Sequence, residues 1–304
     1  PTLVKKSQVG SKLLLVVDEC HRAGAPDMRK VFRTERAYNL GLSATPERED
    51  HVEDAASDDN RQYDTSLLGQ ELGPIIYEMN VHQALAQGIL PGFEIHHYGL
   101  PLLGQEREKY ESLSRRLRDV TAELREIGHQ HGIHDTNITR RAQSLVDRED
   151  ELGLVARQYI ALINERKRLL YDAKVRSRAT IEILNKRFHQ NPDTRAILFH
   201  ESIESVMRLY HKLLQEGFPV TVEHSMLTEG LREESIELFR QGIAKVILSA
   251  RSLIEGFNVP ETDIGIIVAS SASVRQRIQT IGRVLRKGED DDKDKPRKIV
   301  SSKK

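Results

Sequence analysis

The stretch Leu13-Leu14-Leu15-Val16-Val17-Asp18-Glu19-Cys20-His21 decides the fold class of this chain. Five consecutive branched apolar residues predict a strand buried on both faces, which is typical of a parallel sheet. The strand ends at two adjacent carboxylates, at the edge where open α/β sheets bind their ligands. Nucleotide hydrolases use such a pair to hold Mg²⁺ and to orient the attacking water. Taken alone, the stretch also fits a strand followed by an ordinary acidic loop.

Composition limits the classes of protein to which the chain can belong. Its 304 residues allow one large domain or two medium ones, and 38% apolar with 30% charged residues indicates a globular protein. No apolar run approaches the roughly 18 residues of a membrane span. The single cysteine, Cys20, excludes an internal disulfide and fits a cytoplasmic or nuclear location. Because the formal net charge is zero, a nucleic-acid site has to be a local patch.

The pattern of apolar residues divides the chain into four regions. Residues 1–80 hold the first strand and a second one at 38–42, and residues 81–103 combine a short helix with a strand at 93–98. Residues 104–190 are charge-dense and helical. Residues 191–304 alternate strands with helices, which predicts βαβ units and a parallel sheet. The predicted fold is therefore α/β, with parallel sheets flanked by helices and a long helical insertion.

The helical region carries an apolar stripe and many arginines. The stripe steps by three or four residues, which predicts an amphipathic helix; it consists of Tyr110, Leu113, Leu117, Val120 and Leu124. One hypothesis is that the arginines track a phosphate backbone. The alternative is a solvated helical face, which we favour because Asp and Glu are interleaved with them. The arginines are Arg115, Arg116, Arg118, Arg140, Arg141, Arg166 and Arg168.

Several short motifs occur in a fixed order along the chain. Asp-Glu-Cys-His at 18–21 and Leu-Ser-Ala-Thr-Pro-Glu-Arg at 42–48 resemble motifs II and III of superfamily 2 helicases. Residues 196–201 resemble motif IV, 224–242 the stretch after it, and 249–260 motif V. Residues 279–286 match the Gln-x-x-Gly-Arg-x-x-Arg of motif VI, and the approach at 271–277 is similar to the XPB-type branch. The common order makes this signal specific.

The resemblance implies a DNA motor with RecA-like sheets that hydrolyses ATP with Mg²⁺. Residues 1–80 would be the C-terminal part of the first RecA-like, ATP-binding domain and residues 81–103 a connector. Residues 104–190 would be the helical insertion and residues 191–304 the second RecA-like domain. The implied partner is single-stranded or duplex DNA, with RNA as an alternative and with protein partners in a larger complex. No membrane association is implied.

The resemblance also implies a role for each matching residue. Asp18 would hold Mg²⁺ through water, and Glu19 would deprotonate the attacking water. Arg283 and Arg286, three apart on one helical face, would contact the γ-phosphate. The predicted catalytic residues are Asp18, Glu19, His21, Arg283 and Arg286, and the predicted coupling residues are Ser43, Thr45 and Gln279. The predicted nucleotide contacts are Asp18, Glu19, Glu255, Gly256, Asn258, Arg283 and Arg286, and the predicted nucleic-acid contacts are His224, Ser225, Ser249 and Arg251.

A P-loop of the form G-x-x-x-x-G-K-[ST], which cradles phosphates in this family, is absent from the sequence. We therefore expect the chain to be the C-terminal portion of a helicase motor that binds ATP poorly and is inactive alone. Two related alternatives are a motor subunit of a restriction or phage-defence complex and an RNA helicase. An alternative of another class is a non-enzymatic module that holds nucleic acid or a partner.

Overall fold

The computed structural model describes residues 12–25, 27–43, 63–130, 137–250, 262–270 and 297–303. The chain separates into two compact units. The first comprises residues 1–90 with 272–279, and the second comprises residues 91–271 with 280–304. No helix in the described part of the chain is both long enough and apolar enough to cross a bilayer.

The first unit is built on a two-stranded parallel sheet. Strand β1 (Leu14–Val17) pairs with β2 (Tyr38–Gly41), and Leu14 lies opposite Tyr38. Two 3₁₀ helices, Cys20–Gly24 and Met28–Arg33, connect the strands. Helices α1 (Leu67–Leu72) and α2 (Val81–Ala86) follow, each with a side-chain cap on its first turn. A small apolar cluster packs under the sheet, formed by Ala23, Phe32, Tyr63 and Leu68.

Strand β1 differs from the prediction in its burial. The parallel pairing agrees with the prediction, but Leu14 and Val16 are each 51% exposed. Leu15 and Val17 point the other way and pack against the small apolar cluster. The prediction of a strand buried on both faces is therefore wrong for this structure. The physical reason is that the described residues supply an apolar layer on one face of the sheet only.

The second unit contains a six-stranded sheet in which every pair of neighbouring strands is parallel. The strand order is β3-β8-β7-β4-β6-β5. The prediction of a parallel sheet flanked by helices is confirmed. The strands are β3 (Phe93–Gly99), β4 (Ala196–His200), β5 (Val220–Glu223), β6 (Val246–Ala250), β7 (Ile264–Ala269) and β8 (Arg297–Lys303).

The core of the second unit lies where β4, β6 and β7 meet the helices. Every residue of these three strands is buried. The packing helices are α6 (Lys174–Gln190), α7 (Ile203–Gln215) and α8 (Glu229–Arg240). Helix α7 buries Val206, Leu209 and Leu213 on one face, with the spacing of three and four residues that an amphipathic helix has. The side chain of Ser202 caps α7 by accepting a hydrogen bond from the backbone N–H of Ser205.

Three helices form a separate layer in the second unit, which we call the helical arm. They are α3 (Gln105–Gln130), α4 (Ile138–Leu145) and α5 (Glu151–Tyr171). Four members of the predicted apolar stripe, Leu113, Leu117, Val120 and Leu124, are buried, as the periodicity predicts. They pack with apolar residues of α4 and α5 in a cluster distinct from the core of the sheet.

Two segments pack with the six-stranded sheet, although the predicted division of the chain places them in the connector and in the helical insertion. Strand β3 lies within the predicted connector, yet it pairs with β8, so that Phe93 lies opposite Arg297. Helix α6 lies within the predicted insertion 104–190, yet its Leu184 is fully buried in the core of the sheet. Both segments therefore belong structurally with the sheet. The cause is long-range packing against distant strands, which the local sequence does not encode.

Candidate nucleotide and nucleic-acid site

The two carboxylates Asp18 and Glu19 lie at the carboxyl end of β1. Oδ1 of Asp18 accepts a hydrogen bond of 2.8 Å from the backbone N–H of Glu19. The backbone of Glu19 is left-handed, with φ 49° and ψ 46°, and no other non-glycine residue in the described ranges has a positive φ. This conformation costs about 1–2 kcal/mol in an L-residue. Such backbone strain concentrates at functional sites.

His21 and Ser43 join this pair because β1 and β2 are parallel neighbours. His21 is buried, and its Nδ1 lies 3.1 Å from Oγ of Ser43, which follows β2. The same Nδ1 lies 3.2 Å from Oε2 of Glu19. That oxygen accepts no aligned hydrogen bond among the described residues, so the two atoms are close without forming a hydrogen bond. The structure thus brings together Glu19, His21 and Ser43, which the sequence separates by up to 24 positions.

Cys20 fixes the loop that carries these side chains. Its backbone N–H donates a hydrogen bond of 2.9 Å to the carbonyl of Leu42, at the end of β2. Its side chain is buried, and this burial raises the pKa of the thiol. A thiol with a raised pKa is a poor nucleophile and a poor metal ligand. The backbone bond to Leu42 therefore holds the loop in place, and the buried thiol is poorly suited to act as a nucleophile.

We call the carboxyl ends of β1 and β2, with Asp18, Glu19, His21 and Ser43, the first edge. This edge fits a magnesium ion that is held mainly by water and phosphate. Asp18 is exposed, and only one of its oxygens is bonded to the backbone of Glu19. Mg²⁺ prefers oxygen ligands, keeps several waters and takes one or two carboxylates from a protein in nucleotide sites. No cluster of three or more His, Cys, Asp or Glu side chains among the described residues forms a complete metal cage. The donor set therefore suits Mg²⁺ with a nucleotide better than a structural metal.

The second sheet presents a different carboxylate at the end of β5. Glu223 is 1% exposed, and its Oε1 lies 3.0 Å from Nε and 2.9 Å from Nη2 of Arg232. The hydroxyl of Ser249 donates a hydrogen bond of 3.2 Å to its Oε2. Ser249 is fully buried, so it has no surface for the predicted direct contact with nucleic acid. Sequence reasoning missed Glu223, although a Glu that ends an apolar strand nine residues before an Arg is a usable signal.

His224 and Ser225 follow β5 at the same edge of the sheet. Nδ1 of His224 accepts a hydrogen bond of 3.3 Å from the backbone N–H of Met226, so the ring proton lies on Nε2. His224 is buried, and within the described ranges its Nε2 has no hydrogen-bond partner. Such an unsatisfied buried donor is rare in native proteins. Ser225 is exposed beside it and is accessible to a ligand.

The arginines of the helical arm separate into exposed and buried groups. Arg141 is 3% exposed, and its guanidinium lies against the backbone of Gly128 on α3. Arg141 therefore cannot track a phosphate backbone in this structure. Arg166 is half-buried, 5.8 Å from the centre of the Tyr110 ring. The exposed arginines are Arg115, Arg116, Arg118, Arg140 and Arg168.

Eight of the predicted site residues lie outside the described part of the chain. They are Thr45, Arg251, Glu255, Gly256, Asn258, Gln279, Arg283 and Arg286.

Two protein-family models match the chain in sequence. Residues 3–48 match the family described as "Type III restriction enzyme, res subunit", and residues 177–288 match "Helicase conserved C-terminal domain". The DNA 3'-5' translocase XPB2 of Sulfurisphaera tokodaii is 26% identical over 289 residues, which cover 93% of this chain and 58% of that protein. The chain thus spans less than two thirds of this relative. The ATP-dependent RNA helicase dbp3 of Emericella nidulans is 28% identical over 110 residues, which cover 36% of this chain and 22% of that protein.

A solved structure shows the same architecture over most of the chain. The helicase domain of Pyrococcus furiosus Hef aligns with a TM-score of 0.55 at 16% identity, and the alignment covers 95% of this chain and 70% of that one. At this identity the likeness concerns the fold, which is the RecA-like α/β fold. The two family models and the XPB2 relative support a superfamily 2, XPB-like helicase as the family of this chain.

Proposed function

We propose that the chain is the motor portion of an ATP-dependent DNA helicase or translocase, which couples ATP hydrolysis to movement along DNA. The contact of Glu19, His21 and Ser43 at the carboxyl ends of β1 and β2 carries this proposal. The relative that aligns with nearly the whole chain is named a DNA translocase, which favours DNA as the substrate. RNA is the second candidate, because relatives named RNA helicases match about a third of the chain.

The chemistry at the first edge follows from the positions of three side chains. Asp18, which is exposed, would hold a Mg²⁺ ion through water, and the ion would supply positive charge to the phosphates of ATP. Glu19 takes the proton of the attacking water on its carboxylate, because its side chain is partly exposed. His21 contacts both this carboxylate and Ser43, so a change in the protonation of Glu19 is transmitted through the His21 ring to Ser43.

Residues beyond the described ranges complete the proposed site through their motif matches. Arg283 and Arg286 stabilise the charge that develops on the transferred phosphate. Thr45 and Gln279 couple the nucleotide to the nucleic acid together with Ser43. The remaining proposed nucleotide contacts are Glu255, Gly256 and Asn258.

The nucleic-acid side of the proposal rests on the edge formed by β5 and β6. Ser225 donates to the backbone of the nucleic acid and Arg251 adds a positive charge, while the buried His224 supports the turn that carries Ser225 through its bond to the backbone of Met226. Ser249 acts indirectly, by fixing Glu223. Backbone contacts of this kind are insensitive to base sequence, as a motor requires. The proposal includes the four predicted regions of the chain, a cytoplasmic or nuclear location and protein partners in a larger complex.

The substitution Glu19→Gln in the whole protein tests the assignment. It removes the base and leaves Asp18, so ATP turnover should fall by about 10²–10⁴-fold. The affinity for nucleotide should stay within a small factor of the parent value. Turnover is measured with DNA, with RNA and without nucleic acid. Glu35→Gln is the matched control, because Glu35 is an exposed carboxylate of the same unit.

Each outcome of this experiment decides between the candidates. Turnover close to the parent value in Glu19→Gln would remove Glu19 from the mechanism. Stimulation of the parent by RNA alone would select the RNA candidate. A parent that binds nucleic acid but never turns over ATP would support the non-enzymatic module.

A further inference from the structure

A polar joint connects the base of the helical arm to the six-stranded sheet. The arm and the sheet have separate apolar clusters, so no continuous hydrophobic core runs from one to the other among the described residues. The connection is made where α5 ends, at Tyr171, and α6 begins, at Lys174. We call the residues that hold this place the joint: Tyr171, Asp172, Arg176, His200, Ser205 and Arg208.

The first two contacts of the joint hold the end of α5 to strand β4. Nε2–H of His200, the last residue of β4, donates a hydrogen bond of 3.2 Å to the carbonyl of Tyr171. Nδ1 of the same ring accepts a hydrogen bond of 3.0 Å from the backbone N–H of Ser202. The rings of Tyr171 and His200 also meet edge to face, with centroids 6.0 Å apart. His200 therefore ties the arm directly to the turn that follows β4.

A second set of contacts holds the arm to the end of β7. The hydroxyl of Tyr171 donates a hydrogen bond of 3.2 Å to the carbonyl of Ser270, just after β7. Arg176 is buried, and it bridges the carbonyl of Leu170 on α5 at 2.7 Å and that of Val268 on β7 at 2.6 Å. Bonds from a buried guanidinium are among the stronger ones in proteins, since the charge assists them.

A third set of contacts reaches helix α7. Oδ1 of Asp172 accepts hydrogen bonds from the hydroxyl of Ser205 and, at 2.6 Å, from Nη2 of Arg208. The start of α6 is also bound to the arm, because Oε1 of Glu106 on α3 accepts a hydrogen bond of 3.1 Å from the backbone N–H of Lys174. The base of the arm is thus hydrogen-bonded to β4, to β7 and to α7.

We propose that this joint makes the helical arm and the second sheet one rigid body, and that it positions the turns after β4 and β7. A load on the arm is then delivered to His200 and Ser270. The turn after β4 adjoins the motif IV match at 196–201, and Ser270 precedes the segment 271–277. The rigidity stands on the geometry alone. The delivery of load to the motor rests on the proposed function.

Distance measurements between two spin labels test the rigidity without ATP or nucleic acid. Labels are placed at the exposed positions Glu123 on α3 and Gln215 on α7, after the native Cys20 is replaced by alanine. The parent should give one narrow distance. Arg176→Met keeps an unbranched apolar stem but removes both bridging bonds, so a second, broad population should appear.

A milder variant and a matched control make the test specific to the joint. Tyr171→Phe removes only the bond to Ser270, so the undocked population should rise by about fivefold. Tyr159→Phe is the control, since Tyr159 is a buried tyrosine of the same helix whose hydroxyl lies 3.2 Å from Thr139 inside the arm. It should give the parent distance. If Arg176→Met does not fold, Tyr171→Phe against Tyr159→Phe decides the question.

A second readout tests the delivery of load in the whole protein. Tyr171→Phe and Arg176→Met should keep the basal ATPase rate, while stimulation by nucleic acid falls by about fivefold or more. Unchanged distances in Arg176→Met would overturn the rigid joint. Equal loss of basal and stimulated rates would overturn the positioning role. A parent without ATPase activity would refute the proposed function, while the distances would still decide the joint.

Discussion

The two parallel sheets of this chain have similar strands but very different surroundings. In the two-stranded sheet, Leu14 and Val16 are half exposed, whereas Leu198 and Leu248 in the six-stranded sheet are almost completely buried. All four residues belong to short apolar runs. The difference teaches that an apolar run predicts a strand and its parallel pairing, while burial depends on the layers that pack against each face.

The carboxylates at the ends of the two sheets differ in the same way. Glu19 lies in a strained left-handed turn beside His21 and keeps a partly exposed side chain. Glu223 is buried and paired with Arg232 and Ser249. A carboxylate that reaches solvent can exchange protons with water, whereas a buried and fully paired one holds its neighbours. We therefore assign chemistry to the first edge and support to the second.

The largest expected effect concerns two arginines beyond the described ranges, to which the proposed function gives a catalytic role besides that of the first edge. Arg283→Ala and Arg286→Ala should each reduce ATP turnover by about 10³-fold or more, because an arginine that stabilises the transferred phosphate is worth that much. The rate is measured in the whole protein together with thermal unfolding, which should change little. Arg240→Ala, an exposed arginine of the second unit, is the control. If both variants turn over ATP like the parent, the second region supplies no catalytic cation.

A matched pair of core substitutions would sharpen the comparison of burial. Leu248→Ala should lower the free energy of unfolding by about 2–5 kcal/mol, since it leaves a cavity in a close-packed core. Leu14→Ala should change it by about 0.5 kcal/mol or less, because Leu14 is half exposed. Denaturant titration of both variants measures the difference. Equal losses would show that the outer face of the first sheet is covered in solution.

The smallest expected effect is a change of the unfolding free energy with pH, caused by His200 in the six-stranded sheet. Burial lowers the pKa of His200 from about 6.5 to about 4. Between these values the unfolded chain binds more protons than the folded one, so stability falls as the pH falls through this window. The loss from pH 7 to pH 5 should be about 2 kcal/mol, from the 1.36 kcal/mol that each pKa unit represents.

The His200→Gln substitution isolates this dependence. In that variant the slope of unfolding free energy against pH should become flatter between pH 7 and pH 5. His211→Gln, which changes an exposed histidine on α7, should keep the parent slope. An unchanged slope in His200→Gln would mean that another group titrates in this window.

Local patterns predicted most of the individual elements. The short apolar runs at 195–200, 220–222 and 264–268 predict strands, and these match β4, β5 and β7 to within a residue or two. The helical stripe is buried as its period requires. The proximity of His21 to Ser43 also follows from two parallel strands that end at the same edge.

Properties that depend on distant contacts could not be predicted from the sequence. The exposure of Leu14 and the burial of Arg141 depend on which layers pack nearby, and no local spacing encodes that. The pairing of β3 with β8 joins His97 to a residue 204 positions away, Ser301. The joint is likewise built from single residues of several elements, each of them unremarkable in its own segment.

The position of β8 between β3 and β7 also affects how the chain assembles during synthesis. Strand β3 pairs only with β8 within the described sheet, so it cannot join until β8 has been translated about 200 residues later. At typical rates of synthesis this is a delay of roughly 10–40 s. During that interval β3 is an unpaired strand edge, which is prone to associate with other chains. The charged and histidine-rich sequence of β3, with Glu94, His96 and His97, opposes such association while the strand waits for its partner.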